Sequence, residues 1–234
     1  MYRLSIALIM IVGLSAGVVS AQTPSKKWEQ LNARVLTECR EGRFDQALIA
    51  ARESLKLAEE EGGPYHPTVA LSMSNLGLVY KELGQYEDAE KFYLFSLMLG
   101  EESRGREHVS VARTLNNLAA LYCAQHQYAK AEPFYKRALT IKEKALGPNH
   151  LSVGLTVENL ADCDMGQGKV VEAEPLYKRA ITIREEALGR KHPVVAQSLT
   201  ALAKLYRQTY RVTEAIVLEK RAAEILVANR ESRQ

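Results

Sequence analysis

Three asparagines, Asn75, Asn117 and Asn159, stand 42 residues apart. A side-chain amide carries both a donor and an acceptor, so a regular file of amides can hold an extended polypeptide backbone without reading its side chains. The same amides could equally bond one another's neighbours and serve stacking alone. One period further on, Ala201 breaks the file. Four histidines, His66, His108, His150 and His192, keep the same spacing. Imidazole is a common metal ligand, but groups one repeat apart are separated by the ~8–10 Å between packed helices. Ligand nitrogens must each lie about 2 Å from one ion. The histidines therefore point to capping and loop packing, and His126 stands apart from them. Cys123 and His126 have the spacing of a thiol–imidazole pair, yet nothing in the sequence orients the imidazole. The chain carries no Gly-rich phosphate loop, no HExxH and no CxxC. No catalytic residue, metal or cofactor is expected.

The elements that position these residues are written in the same period. Copies of one unit begin at His66, His108, His150 and His192, and a degenerate copy precedes them. Leu76, Leu118, Leu160 and Leu202 share a register, as do Ala89, Ala131, Ala173 and Ala215. A repeat of this length is the signature of a solenoid. Each unit holds two helical patterns. Val111, Leu115, Leu118 and Tyr122 form one apolar stripe, and Ala131, Tyr135 and Ala138, beside Phe134 and Ile141, form the next. Neither helix can bury its stripe alone, but stacked pairs make a continuous core. The expected fold is an all-α solenoid of antiparallel helix pairs. The alanines mark the closest helix crossings, where a larger side chain would overpack. Pro67 and Pro193 suit a first helical position, and Gly84, Gly147, Gly168 and Gly189 suit turns. Pro133 and Pro175 are tolerable within a first turn, which puts those helix starts near Ala129 and Val171.

The units divide as 22–65 (degenerate), 66–107, 108–149, 150–191 and 192–229, with a polar tail over 230–234 and fraying expected from Asn229. Residues 1–21 read as a signal peptide. Arg3 precedes the apolar run Leu4–Val19, and Val19-Ser20-Ala21 offers small residues before a cut at Gln22. The run is short of the ~20 residues that span a bilayer, so membrane attachment is expected only through this segment if it stays uncleaved. The expected location is the periplasm or the exterior of a bacterial cell. Formal net charge is +3, with both signs interleaved along the repeats, which excludes a basic nucleic-acid groove. Cys39, Cys123 and Cys163 are odd in number, and burial as free thiols is expected for at least one.

The run Leu118, Ala119, Tyr122, Ala131, Tyr135, Ala138, and its partner Leu76, Gly77, Tyr80, Ala89, Tyr93, Ser96, resembles the tetratricopeptide repeat. Its 42-residue form is similar to the repeats of kinesin light chain and nephrocystin-3-like proteins. Asp164 departs from the pattern where tyrosine is usual, and the last unit loses the later aromatic. The resemblance implies a right-handed superhelix whose first helices line a concave, peptide-binding groove. By register it places Leu71, Asn75 and Leu78 there, then Arg113, Asn116 and Asn117, then Leu155, Glu158, Asn159 and Asp162, and finally Thr200 and Lys204. Arg113, Lys204 and Arg207 could meet an acidic group, against the opposing charges of Glu158 and Asp162. The function expected is an exported adaptor that binds a protein or peptide in this groove. A structural or self-associating scaffold and a regulatory subunit of an envelope enzyme are the alternatives. No nucleic acid or small-molecule cofactor is expected as partner, and a homo-oligomer is possible.

Overall fold

The computed structural model describes residues 23–231. The expected signal segment and the last three residues lie outside them. All regular structure among the described residues is helical. The helices are α1 (Lys26–Arg40), α2 (Phe44–Gly62), α3 (Pro67–Glu82), α4 (Tyr86–Arg104), α5 (Val109–Ala124), α6 (Tyr128–Leu146), α7 (Leu151–Gly166), α8 (Val170–Leu188), α9 (Pro193–Gln208) and α10 (Val212–Glu231). Each odd helix packs against the even helix after it, and each even helix against the next odd one. In addition α1 touches α3, α3 touches α5 and α5 touches α7, while successive even helices make no comparable contact. The stack therefore curves with the odd helices on its inner side.

Local chemistry sets the boundaries. His66, His108, His150 and His192 are the N-caps of α3, α5, α7 and α9. In each, imidazole Nδ1 accepts the backbone N–H two residues on, at 3.3, 3.1, 3.1 and 3.2 Å. One of the orphan donors of each helix start is satisfied this way. The turn inside each pair needs a left-handed residue. Gly42, Gly84 and Gly168 supply it without strain, but His126 (φ 58°) and Tyr210 (φ 60°) adopt it as well. The isolated His126 is thus a turn residue, its Nδ1 2.9 Å from the Tyr128 hydroxyl.

Ala89, Ala131, Ala173 and Ala215 are fully buried, and the ring-bearing Tyr93, Tyr135 and Tyr177 beside them are buried too. The helices also approach closely at Gly77, which stands in the register of Ala119, Ala161 and Ala203. A Cβ added there would lie 2.7 Å from the Tyr93 ring. The first unit, whose sequence departs most, closes its end with Trp28. Its indole Nε1 donates to Ser72 Oγ at 2.9 Å, and Ser72 in turn meets Ser54 Oγ at 2.8 Å.

Two expectations need correction. α6 and α8 begin at Tyr128 and Val170, so Pro133 and Pro175 sit in the second turn rather than the first. Each deprives the carbonyl four residues earlier of its helical donor. Ala129, Val171 and both prolines are solvent-exposed, so solvent can supply the missing bond. The last helix also extends past Asn229, from which fraying is expected, to the end of the described residues. α10 continues to Glu231, and Asn229 Nδ2 donates to the Lys191 carbonyl at 2.8 Å, tying the last helix back to the loop between α8 and α9.

Candidate functional site

The inner surface is built from the odd helices. Asn75, Asn117 and Asn159 sit on α3, α5 and α7, all half-buried. Each sends its Nδ2 to the preceding unit. Asn75 donates to Asn32 Oδ1, Asn117 to Ser74 Oγ at 3.4 Å and Asn159 to Asn116 Oδ1 at 3.5 Å. The acceptors share one register, so the amides form a repeating tie between units. Among the described residues, Oδ1 of Asn117 and of Asn159 has no hydrogen-bond partner. The file thus combines stacking through its donors with acceptors left open on the groove.

A second register crosses from the even helices. Arg184 of α8 is buried, with Nη1 2.8 Å from Glu158 Oε1 and a further bond to Ser198 Oγ. One repeat earlier the cation is Lys142, equally buried, and Asn116 stands where Glu158 stands. Lys142 Nζ donates to Thr156 Oγ1 at 2.7 Å and to the Ser152 carbonyl at 3.3 Å, both neutral. Burial, with the charge of Arg113 nearby, brings its pKa down to about 8.

Between α5, α7 and α9 the inner face opens into a cavity of about 690 Å³. Asn159, Asp162, Thr200 and Lys204 line it, together with Ala120, Cys123, Tyr135, Met165 and Tyr177. The volume is in the range of small-ligand or side-chain pockets. The Tyr177 hydroxyl donates to Asp162 Oδ1. Burial nevertheless raises the Asp162 pKa above the usual carboxylate range. The Cys123 thiol is drawn down by a hydrogen bond with Cys163, which is itself buried. All three cysteines are free.

The predicted groove residues divide in three. Asn159, Asp162, Thr200 and Lys204 are gathered at the cavity. Leu71, Asn75, Leu78, Arg113, Asn117 and Leu155 lie along the inner helices outside it, with Arg113 and Leu155 exposed. Asn116 and Glu158 are held internally, the first by Thr156 and Asn159, the second by Arg184. Arg207, weighed as a clamp cation, is held by both carboxylate oxygens of Glu219 at 2.9 and 2.7 Å. Register reasoning along the first helices missed Tyr135, Tyr177 and Cys123. The two tyrosines stand in one register of the second helix, which was the available signal for them. At the departing position, buried Asp164 faces Glu132, where Tyr122 and Tyr206 donate to Glu90 and Glu174 at 2.6 and 3.1 Å. Glu132 instead takes Lys136 and Lys169 and falls to a pKa of about 2.

Among the described residues no group of three or more His, Cys, Asp or Glu could hold a metal ion, and no helix is long and apolar enough to cross a membrane. The sequence profile of the tetratricopeptide repeat matches residues 30–97, 73–144, 110–163 and 152–226. No curated protein sequence matches significantly. Among solved structures, BtubC (BKLC) from P. vanneervenii is similar at 26% identity and a TM-score of 0.75, over 86% of this chain and 80% of that one. The nearly identical TPR-like repeats of a Podosopora anserina chain assigned as a kinesin light chain match at 21% identity and TM-score 0.72, over 89% and 100%. A Rap protein complexed with Competence and Sporulation Factor matches at 16% and 0.72, over 86% of this chain and 54% of its own length.

Proposed function

Because the chain belongs to the tetratricopeptide repeat family, we propose that it is a non-catalytic adaptor holding an extended segment of a protein partner against its inner face. The observation that carries this reading is the junction of the open Asn117 and Asn159 acceptors with the cavity at Asp162, Thr200 and Lys204. The acceptors suit backbone N–H groups, and the cavity suits one side chain of the bound segment. Asp162 and Lys204 favour a segment carrying both signs of charge or gripped through its backbone. The Rap relative, complexed with Competence and Sporulation Factor, is an instance of the fold holding a ligand. The 42-residue period and the likeness to kinesin-light-chain repeats support placing the chain in that subgroup. The apolar segment Leu4–Val19 and its small-residue end support export, and N-terminal sequencing that finds Met1 retained would remove that part of the reading.

In-cell crosslinking with mass spectrometry tests the adaptor role. Thr200 is exposed at the cavity, and its hydroxyl bonds only the carbonyl of Ala196 in its own helix. Thr200→Trp should therefore fill the cavity while leaving the core intact. A specific partner captured by wild type and lost in this variant supports groove binding. Undiminished capture by a variant of normal helicity would place recognition elsewhere.

A further inference from the structure

The outer face of the even helices carries a repeated polar trio. In α6 it is Lys136, Arg137 and Thr140, in α8 Lys178, Arg179 and Thr182, and in α10 Lys220, Arg221 and Glu224. In α2 the same register holds Arg52, Glu53 and Lys56. The middle arginine has a stacking role: Arg137 reaches Glu101 at 2.6 Å, Arg179 reaches Glu143 at 2.7 Å and Arg221 pairs with Glu185. α4 breaks the pattern at all three positions with Leu94, Phe95 and Met98, which are 44%, 49% and 59% exposed. Phe95 gives up the inter-unit ion pair. No packing requirement of the fold explains an exposed apolar trio where four sister helices carry charge.

The residues that extend this stripe decide what fits it. Lys91 and Glu87 lie one and two turns before the trio, and Glu102 lies one turn after it, all exposed on the same side of α4. The order along the helix is acid, cation, apolar centre, acid. We propose that α4 is a self-association surface, seating α4 of a second copy antiparallel about a two-fold axis between Phe95 and Met98. In that register Phe95 of each copy meets Met98 of the other. Lys91 of each copy meets Glu102 of the other, and Leu94 covers the flanks of the apolar centre. A two-fold contact must be complementary to itself, and this stripe meets that condition with two opposite-charge pairs around an apolar middle. Antiparallel placement also sets the acidic first turn, Glu87 and Asp88, near the basic end of the other helix at Arg104. The two inner grooves face away from this contact, so a dimer presents two binding sites and gains avidity for a paired partner.

One helix on one helix buries little area, so the contact belongs to the weak end of specific interfaces. Sedimentation velocity of the full chain over a concentration series to about 100 µM, a range suited to such weak contacts, tests it. The variant Leu94→Lys/Phe95→Arg/Met98→Thr installs residues that α6 already carries in the same register, so the fold should accept it. Wild type should dimerise, and this triple variant should weaken dimerisation at least roughly tenfold, as loss of a central aromatic anchor does. Lys91→Glu alone should also weaken it, and Lys91→Glu with Glu102→Lys should restore it. The proposal is overturned if wild type stays monomeric throughout, if the triple variant associates as wild type does, or if the charge swap fails to restore what the single reversal removes. In the first case the α4 trio serves a different protein; in the second, association runs through other parts of the chain.

Discussion

Arg184 and Glu158 form a buried ion pair between α8 and α7, and the same place one unit earlier holds a lysine, Lys142, with no carboxylate to meet it. Breaking or omitting one member of a buried pair leaves an uncompensated charge, which is costly. Lys142 has a pKa near 8 in the folded chain against 10.5 for a free lysine. The unfolded chain therefore binds more protons than the folded one between these values, and stability rises with pH across that window. Below pH 8 the penalty is fully present, at most roughly 3 kcal/mol by the linkage between pKa and free energy. Lys142→Met should stabilise the protein at pH 7, and its advantage over wild type should shrink as pH approaches 10. Asn116→Glu, which restores the partner seen at Glu158, should flatten the same dependence. Urea unfolding at pH 7 and pH 10 checks both, and an equal Lys142→Met advantage at the two pH values would contradict the reading.

The cap at His108 gives a second pH effect of the same sign in an acidic window. Nδ1 of His108 accepts the Ser110 N–H, so only the neutral ring can serve. Burial, with Arg104 nearby, holds its pKa below the ordinary 6.5. The cap is therefore intact at neutral pH and is lost as pH falls through the folded-state value. Asparagine caps equally well and does not titrate in this range. His108→Asn should match wild type at pH 7.5 and exceed it near pH 5 in thermal melts. His108→Ala should lose about 1 kcal/mol at pH 7.5, as removal of a cap typically does. A His108→Asn variant that tracks wild type at both pH values would show that the cap does not titrate as described.

Cys123 offers a direct report on the cavity. Its thiol lines the opening and is drawn down in pKa by Cys163, while Cys163 is buried beneath it. Thiolates, not thiols, are alkylated, so iodoacetamide should modify Cys123 well before Cys163. A bound segment that enters the cavity should slow Cys123 alkylation without changing the rate at Cys39, which lies in the first unit. Tryptic mass spectrometry with and without a crosslinked partner measures both rates. Equal protection of Cys39 and Cys123, or protection of neither, would place the partner outside the cavity.

The architecture was legible because a repeat states its packing several times over. The leucine and alanine registers, the histidine caps and the aromatic pairs each recur at one spacing, so a helix assigned in one unit is assigned in all. The candidate site was legible only in part. The resemblance, carried over by register, named Asn117, Asn159, Asp162 and Lys204, because positions one repeat apart share a helix phase. It could not reveal that Glu158 is taken by Arg184, since that contact joins α7 to a helix whose phase had been used only for core packing.

By itself the sequence determined that the chain stacks helix pairs, where those pairs begin, and which positions depart from the repeat. Each of these follows from local periodicity and capping chemistry, which act over a few neighbouring residues. The tertiary structure decided which donors of the asparagine file are spent between units, where the inner face opens into a cavity, and that Lys142 is buried without a counter-charge. It also showed that Leu94, Phe95 and Met98 face solvent rather than a neighbouring helix. These are properties of the space between units, set by curvature and crossing distance, and no single period of the sequence contains that space.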